Sequence, residues 1–147
     1  MPIANIKQVA RELIEHPEAS IATLSELLAS AEQLDDPSVV KVVASMSGNA
    51  LYFSRAAIPF QRDSTEKTSS LLLAAARRHI GLYAYRAAFL QAFAAWPPSV
   101  METLESLEQL RALDQGHIIR ICEASEPVPA GVDTPEDLER ARGLLVG

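Results

Sequence analysis

An α/β layer fold is expected for this chain on three observations. Helical and strand periodicities alternate along it. Two β-rich runs flank a Ser47-Gly48-Asn49 turn signal, so an antiparallel hairpin is expected within a mixed sheet. Hydrophobic residues make up 48% of the 147 positions, enough for one packed core, and a single domain over 1–147 follows.

The elements follow in order. Residues 3–15 have the apolar spacing of an amphipathic helix, with Ile3, Ile6, Val9, Ala10 and Leu13 on one face, ending before Pro17. Residues 20–24 predict a short strand. Residues 25–33 predict a short helix with Leu27, Leu28 and Ala31 inward, closed by Asp35-Asp36-Pro37. Residues 39–45 are β-branched and partly alternating, and 50–54 resume that pattern after the turn. A polar loop over 61–70 leads to one or two helical turns over 71–77. Residues 79–85 alternate, with Ile80, Leu82 and Ala84 on one face and His79, Gly81, Tyr83 and Tyr85 on the other.

Residues 86–96 place Ala88, Phe89, Ala92, Phe93 and Trp96 at helical spacing, and Pro97-Pro98 stops that helix. Ser99 is a cap for a short turn. A helix over 106–114, with Leu104, Leu107 and Leu110 inward, is closed by Gly116. Residues 117–123 form the last strand and 127–130 a loop. The last helix starts at Thr134, with Thr134 as N-cap, Pro135 at its first position and Leu138, Ala141, Leu144 and Leu145 as its apolar stripe.

Composition narrows the function. A net charge of −6 and a pI near 5.0 disfavour nucleic acid or an anionic membrane surface as partner. Cys122 is the sole cysteine, so no internal disulfide forms. It sits in a β-rich run and is expected to be a buried, inert thiol, which suits a reducing cytoplasm. No signal peptide is expected, and the longest apolar run, 71–76, is too short to span a bilayer.

Several residues have two readings on local physics alone. Asp133 precedes a helix that Thr134 already caps. It either makes a second turn bond or offers a carboxylate to a divalent cation near phosphates. Arg55, at a strand end, is either solvated or a fork for a carboxylate. His79 and Tyr83 share a strand face with tips at most about 14 Å apart, and Gly81 between them leaves room for a ligand. The alternative is a half-buried strand with a satisfied histidine. Glu108 and Gln109 are a solvated face or reach a pocket edge.

Four stretches carry a resemblance that runs through nearly the whole chain. They are ALYFSRAAIP at 50–59, RHIGLYAYR at 78–86, LESLEQLR at 104–111 and GVDTPEDLERAR at 131–142. In that order they resemble the back part of the 3-deoxy-D-manno-octulosonate (KDO) cytidylyltransferases, the CMP-KDO synthetases. The resemblance implies a truncated Rossmann-like nucleotidyltransferase fold of the nucleotide-diphospho-sugar transferase type. The implied reaction joins CTP and KDO into CMP-KDO and diphosphate, a step toward lipopolysaccharide. It implies Asp133 as a catalytic magnesium ligand, His79, Tyr83, Glu108 and Gln109 facing the sugar hydroxyls, and Arg55 on the carboxylate side. It also implies a homodimer. The family usually has proline where Ala57 stands.

The resemblance lacks the family's front part. All six glycines lie at or after Gly48, so no Gly-rich phosphate loop precedes the first helix. On the resemblance, the chain begins just after the family's first acidic segment. The expectation is therefore a chain inactive alone, working with a separate front fragment. The alternatives are a non-catalytic dimerisation module or a sugar-acid-binding module that has lost nucleotide chemistry.

Overall fold

The computed structural model describes residues 1–62, 70–128, 139 and 142–143. Its elements are α1 (Ile3–Glu15), β1 (Ile21–Leu27), α2 (Ala31–Asp35), β2 (Lys41–Ala44), β3 (Ala50–Ser54), α3 (Ser70–Ala75), β4 (Arg77–Tyr85), α4 (Ala87–Ala95), α5 (Val100–Glu105), α6 (Gln109–Asp114) and β5 (Ile119–Glu123). The five strands form one mixed sheet in the order β3-β2-β4-β1-β5. Only β1 and β5 run parallel; β1–β4, β2–β3 and β2–β4 are antiparallel. The expected mixed α/β sheet with an antiparallel hairpin is what forms.

The hairpin turn depends on glycine. Gly48 has φ +80°, where a side chain is strained. A Cβ there would also lie 2.8 Å from the Arg120 guanidinium. Arg120 donates to Ser47 O and to Asn49 Oδ1, and Ile121 N–H donates to Gly48 O, so the hairpin tip folds back onto β5.

Two cores occupy the two faces of the sheet. On the α1 face, Val9 and Leu13 pack on Ala22, Leu24 and Ile80. On the other face, Ile21, Val42, Phe53, Phe89, Phe93, Leu107, Leu110, Ile119 and Ile121 pack together. The alternation read along 79–85 divides as expected: Ile80, Leu82 and Ala84 join the first core, Tyr83 and Tyr85 the second.

Several boundaries differ from the sequence reading, each through tertiary contact. Residues 25–27 continue β1 and do not start a helix. Ser25, Glu26 and Leu27 pair with His79, Arg78 and Arg77, and Glu26 binds Arg78 with a 2.6 Å ion pair. Ladder bonds and that pair outweigh a weak helix propensity. Helix α3 stops at Ala75 because Arg77 joins the ladder to Leu27 and Val42.

The helix expected over 106–114 begins at Gln109 instead. Ser106 adopts φ +53° and closes α5, leaving Leu104 80% exposed rather than inward. Ser99 caps α5 in a capping box with Glu102. Helix α1 is rotated from its expected face. Asn5, Val9 and Leu13 are buried, while Ile3 and Ile6 are exposed. The cause is Asn5, whose carboxamide bonds Glu126 O, Glu126 N and the Ser125 hydroxyl. Ala88 and Ala92 are also exposed; Phe89 and Phe93 alone bury the α4 face.

Candidate functional site

The site begins with a register shift. His79 pairs with Ser25 on β1, and Tyr83 pairs with Thr23. Four residue steps along β4 thus oppose only two along β1, with the irregularity between Thr23 and Leu24. A regular strand sets His79 and Tyr83 about 14 Å apart along its axis. Here the ring centroids are 5.3 Å apart. Gly81 lies in the irregular stretch, exposed, with nothing within 4 Å of where a Cβ would stand.

An aromatic row follows from this face. Phe53 meets His79 edge-on at 4.9 Å, and Tyr83 meets Tyr85 at 5.6 Å. Tyr85 stacks on Phe89 at 6.3 Å. Burial holds the His79 imidazolium down, to a pKa of about 4, so the ring is neutral at pH 7. Burial raises both phenols, Tyr85 to about 12, and the nearby charges of Tyr85 and Glu108 push Tyr83 further the same way. Both tyrosines are protonated donors at neutral pH.

Thr23 sets the histidine tautomer. Its hydroxyl lies 2.9 Å from His79 Nε2, 3.0 Å from Ile80 O and 2.9 Å from Leu82 O. Two of those partners are carbonyls and only accept, so the single hydroxyl proton goes to them. The His79 Nε2–H then donates to Thr23. This leaves Nδ1 as a lone-pair acceptor with no hydrogen-bond partner among the described residues.

Glu108 is exposed at the start of α6, and its charge acts on both Tyr83 and Tyr85. Gln109 is 3% exposed, and its Nε2 has no hydrogen-bond partner among the described residues. Buried polar atoms are rarely left so, because each costs about 1–3 kcal/mol. Arg55 is half-buried, with its guanidinium against backbone carbonyls of Pro37, Glu105 and Ser106.

The structure therefore brings His79 and Tyr83 together and sets Glu108 near enough for its charge to act on Tyr83 and Tyr85, with Gln109 next to it in the chain. Asp133, Thr134 and the stripe of the last helix lie outside the described residues. Among the described residues no group of three His, Cys, Asp or Glu side chains is arranged to hold a metal ion.

Sequence reasoning missed Thr23 and Phe53. Neither carries a local signal, since both reach His79 only through strand pairing and packing. It also missed a cavity of about 300 Å³ lined by Ser25, Val42, Ser45, Arg77, Cys122 and Glu123 among others. None of Arg55, His79, Tyr83, Glu108 and Gln109 lines it. Cys122 is half-buried rather than fully buried, and burial pushes its thiol up to about 12, so it is inert as expected.

A family model described as cytidylyltransferase matches residues 1–121. The chain belongs to the cytidylyltransferase family. It is 52% identical to a 3-deoxy-manno-octulosonate cytidylyltransferase of Polynucleobacter necessarius subsp. necessarius, over 99% of this chain and 56% of that protein. It is 51% identical to the enzyme of the same name from Pseudomonas syringae pv. tomato, over 99% of this chain and 58% of that one. Among solved structures it resembles a CMP:2-keto-3-deoxy-manno-octonic acid synthetase complexed with CTP. The TM-score is 0.82 at 38% identity, covering 96% of this chain and 55% of that one. This cytidylyltransferase chain thus spans little more than half the length of the relatives it matches. No described helix is long and apolar enough to cross a membrane.

Proposed function

We propose that this chain supplies the sugar-acid-binding part of a KDO cytidylyltransferase. In that reaction the anomeric hydroxyl oxygen of KDO bonds to the α-phosphorus of CTP. The bond to the β-phosphate oxygen breaks, the hydroxyl proton is lost, and diphosphate leaves. Two observations carry the reading: Gln109 Nε2 is buried with no hydrogen-bond partner among the described residues, and Thr23 leaves His79 Nδ1 as an acceptor within a row of aromatic rings. A neutral acceptor and an amide donor suit sugar hydroxyls better than phosphates.

In this reading His79 Nδ1 accepts from a sugar hydroxyl, the Tyr83 hydroxyl and Gln109 Nε2 donate, and Glu108 accepts at the open rim. By the resemblance alone, Arg55 lies on the carboxylate side of the same pocket, without having to touch the carboxylate. The aromatic rings exclude water on one side and hold the sugar in place, which is the larger part of what this reaction type needs. Asp133 is a magnesium ligand in this proposal, by the resemblance alone. When bound, the ion would offset charge on the phosphates. CTP is the second substrate in this proposal, and because none of the four matched stretches carries a Gly-rich phosphate loop, the chain by itself is proposed to turn over no useful amount. A cytoplasmic setting follows from the substrates. Exposed Val100 and Leu104, 76% and 80% accessible and one turn apart on α5, support a homodimer contact.

The test is calorimetric titration of KDO into the purified chain, with diphosphate release followed when CTP and magnesium are added. Saturable KDO binding that His79→Ala weakens at least tenfold, with no turnover, is expected. Wild-type affinity in His79→Ala would sink the assignment of the pocket. Turnover by the chain alone would sink the division of labour.

A further inference from the structure

Arg55 follows β3 directly, and three of its five guanidinium N–H groups face backbone carbonyls. Nε donates to Glu105 O at 2.8 Å, Nη1 to Pro37 O at 3.0 Å and Nη2 to Ser106 O at 3.5 Å. The first two are strong, and the third is at the limit of a hydrogen bond. Its own backbone is held as well. The Arg55 N–H donates to Glu105 Oε2 at 2.8 Å, and its carbonyl accepts from Lys41 Nζ at 2.6 Å. The other Glu105 oxygen takes the Ser54 hydroxyl at 2.6 Å.

Lys41 is the second half of this clamp. It has no exposed surface, and its ammonium also donates to Asp36 O at 2.8 Å. Burial lowers its pKa from the ordinary lysine value, and Asp36, Asp35 and Glu105 oppose that shift. A buried cation without a direct carboxylate partner is costly, and it is retained here on two carbonyls. Four separate segments, at 36–37, 41, 54–55 and 105–106, are thereby joined.

They converge on one corner. Ser106 sits at φ +53°, a left-handed conformation that costs a side chain about 1–2 kcal/mol and persists where neighbours over-determine it. Arg55 faces two consecutive carbonyls at this corner, Glu105 O and Ser106 O. Glu108 and Gln109 follow within three residues and open α6.

We propose that Arg55 is a positioning residue: with Lys41 it fixes the Glu105–Ser106 corner and so aims Glu108 and Gln109 at the pocket, without itself carrying the ligand's carboxylate. This rests on the sugar-acid reading above. Three of the five guanidinium N–H groups are already engaged, and they point to the corner behind the pocket. The carboxylate of the ligand is then read by another group.

The experiment compares KDO with its C1 carboxamide, both titrated into wild type, Arg55→Lys and Lys41→Met. Thermal unfolding first establishes that each variant folds, and Arg55→Lys carries the test if Lys41→Met does not. A positioning role predicts that each variant weakens the acid and the amide by the same factor, roughly tenfold. Loss confined to the acid in Arg55→Lys would overturn the proposal and return Arg55 to the carboxylate. A second readout needs no ligand. Amide hydrogen exchange over residues 106–111 is expected to quicken in both variants, and unchanged exchange would also overturn it. If wild type binds neither compound, the sugar-acid reading fails, while the exchange result still decides the clamp.

Discussion

The two faces of β1 and β4 are built from alternate residues of the same strands, yet they do opposite work. On the α1 face, Leu24, Ile80, Val9 and Leu13 make an aliphatic core. The polar groups nearby are satisfied: Asn5 binds Ser125 and Glu126, Gln8 binds Glu123 and Ser125, and Arg86 takes the carbonyls of Leu13, His16 and Ala19 at the end of α1. On the other face, Thr23, His79 and Tyr83 bring polar tips into an aromatic layer, and the acceptor of His79 is left open. A closed face contributes stability, and an open one is where the proposed recognition would take place. The two can be separated by experiment because a period of two keeps their residues distinct.

The sharpest break of that contrast is Leu24→Ala. Leu24 has no exposed surface, so the change is expected to cost about 2–5 kcal/mol through lost transfer and a cavity. Urea unfolding measures it. KDO affinity should be unchanged where the variant is folded; a matching loss of affinity would show that the faces are not independent.

The next effect is a pH dependence. His79 takes its proton at about pH 4 when folded, against 6.5 for the free side chain. Between those values the unfolded chain holds more protons, so stability rises with pH there. The contribution is whole above pH 6.5 and fades as pH falls toward 4. Its upper bound is about 3 kcal/mol, since the half-buried ring keeps some contact with water. Thermal unfolding of His79→Gln should lack that slope, and an unaltered slope would assign it to other groups.

Thr23→Val is smaller, at about 1–3 kcal/mol, because it strands the His79 Nε2–H. Nitrogen-15 shifts of His79 should show the tautomer losing its preference, and a preserved Nε2–H form would mean that Thr23 does not set it. Tyr83→Phe is the smallest in stability, within about 0.5 kcal/mol, since no described residue bonds that hydroxyl. It should nonetheless weaken KDO binding, and equal affinity would remove Tyr83 from the pocket.

The backbone edge of β4 sharpens the comparison further. On β4, strand β2 pairs only with Arg77 and Arg78, and Val40 O accepts from His79 N–H, so no described strand pairs that edge beyond His79. Open edges exchange amide hydrogens quickly and invite association. Amides over 81–85 on that side should exchange faster than those bonded to β1.

Local chemistry by itself determined a good deal of this protein. The period-two alternation at 79–85, the Gly48 turn, the Ser99 cap and the stop before Pro17 are written in neighbouring residues, and each stands in the structure. The four matched stretches carried the family in the same way. Tertiary structure decided what depends on partners distant in the chain. Residues 25–27 are strand because β4 pairs with all three and β5 with Ser25, α1 turns its Asn5 side inward because residues 125–126 bind it, and Leu104 faces out because Arg55 helps fix the corner after it. The approach of His79 to Tyr83 needed a register shift against β1, and the free acceptor on His79 needed Thr23 from that strand. Periodicity reports which face a side chain is on. Only pairing between strands sets how far along that face two side chains lie, and which of their atoms remain free for a ligand.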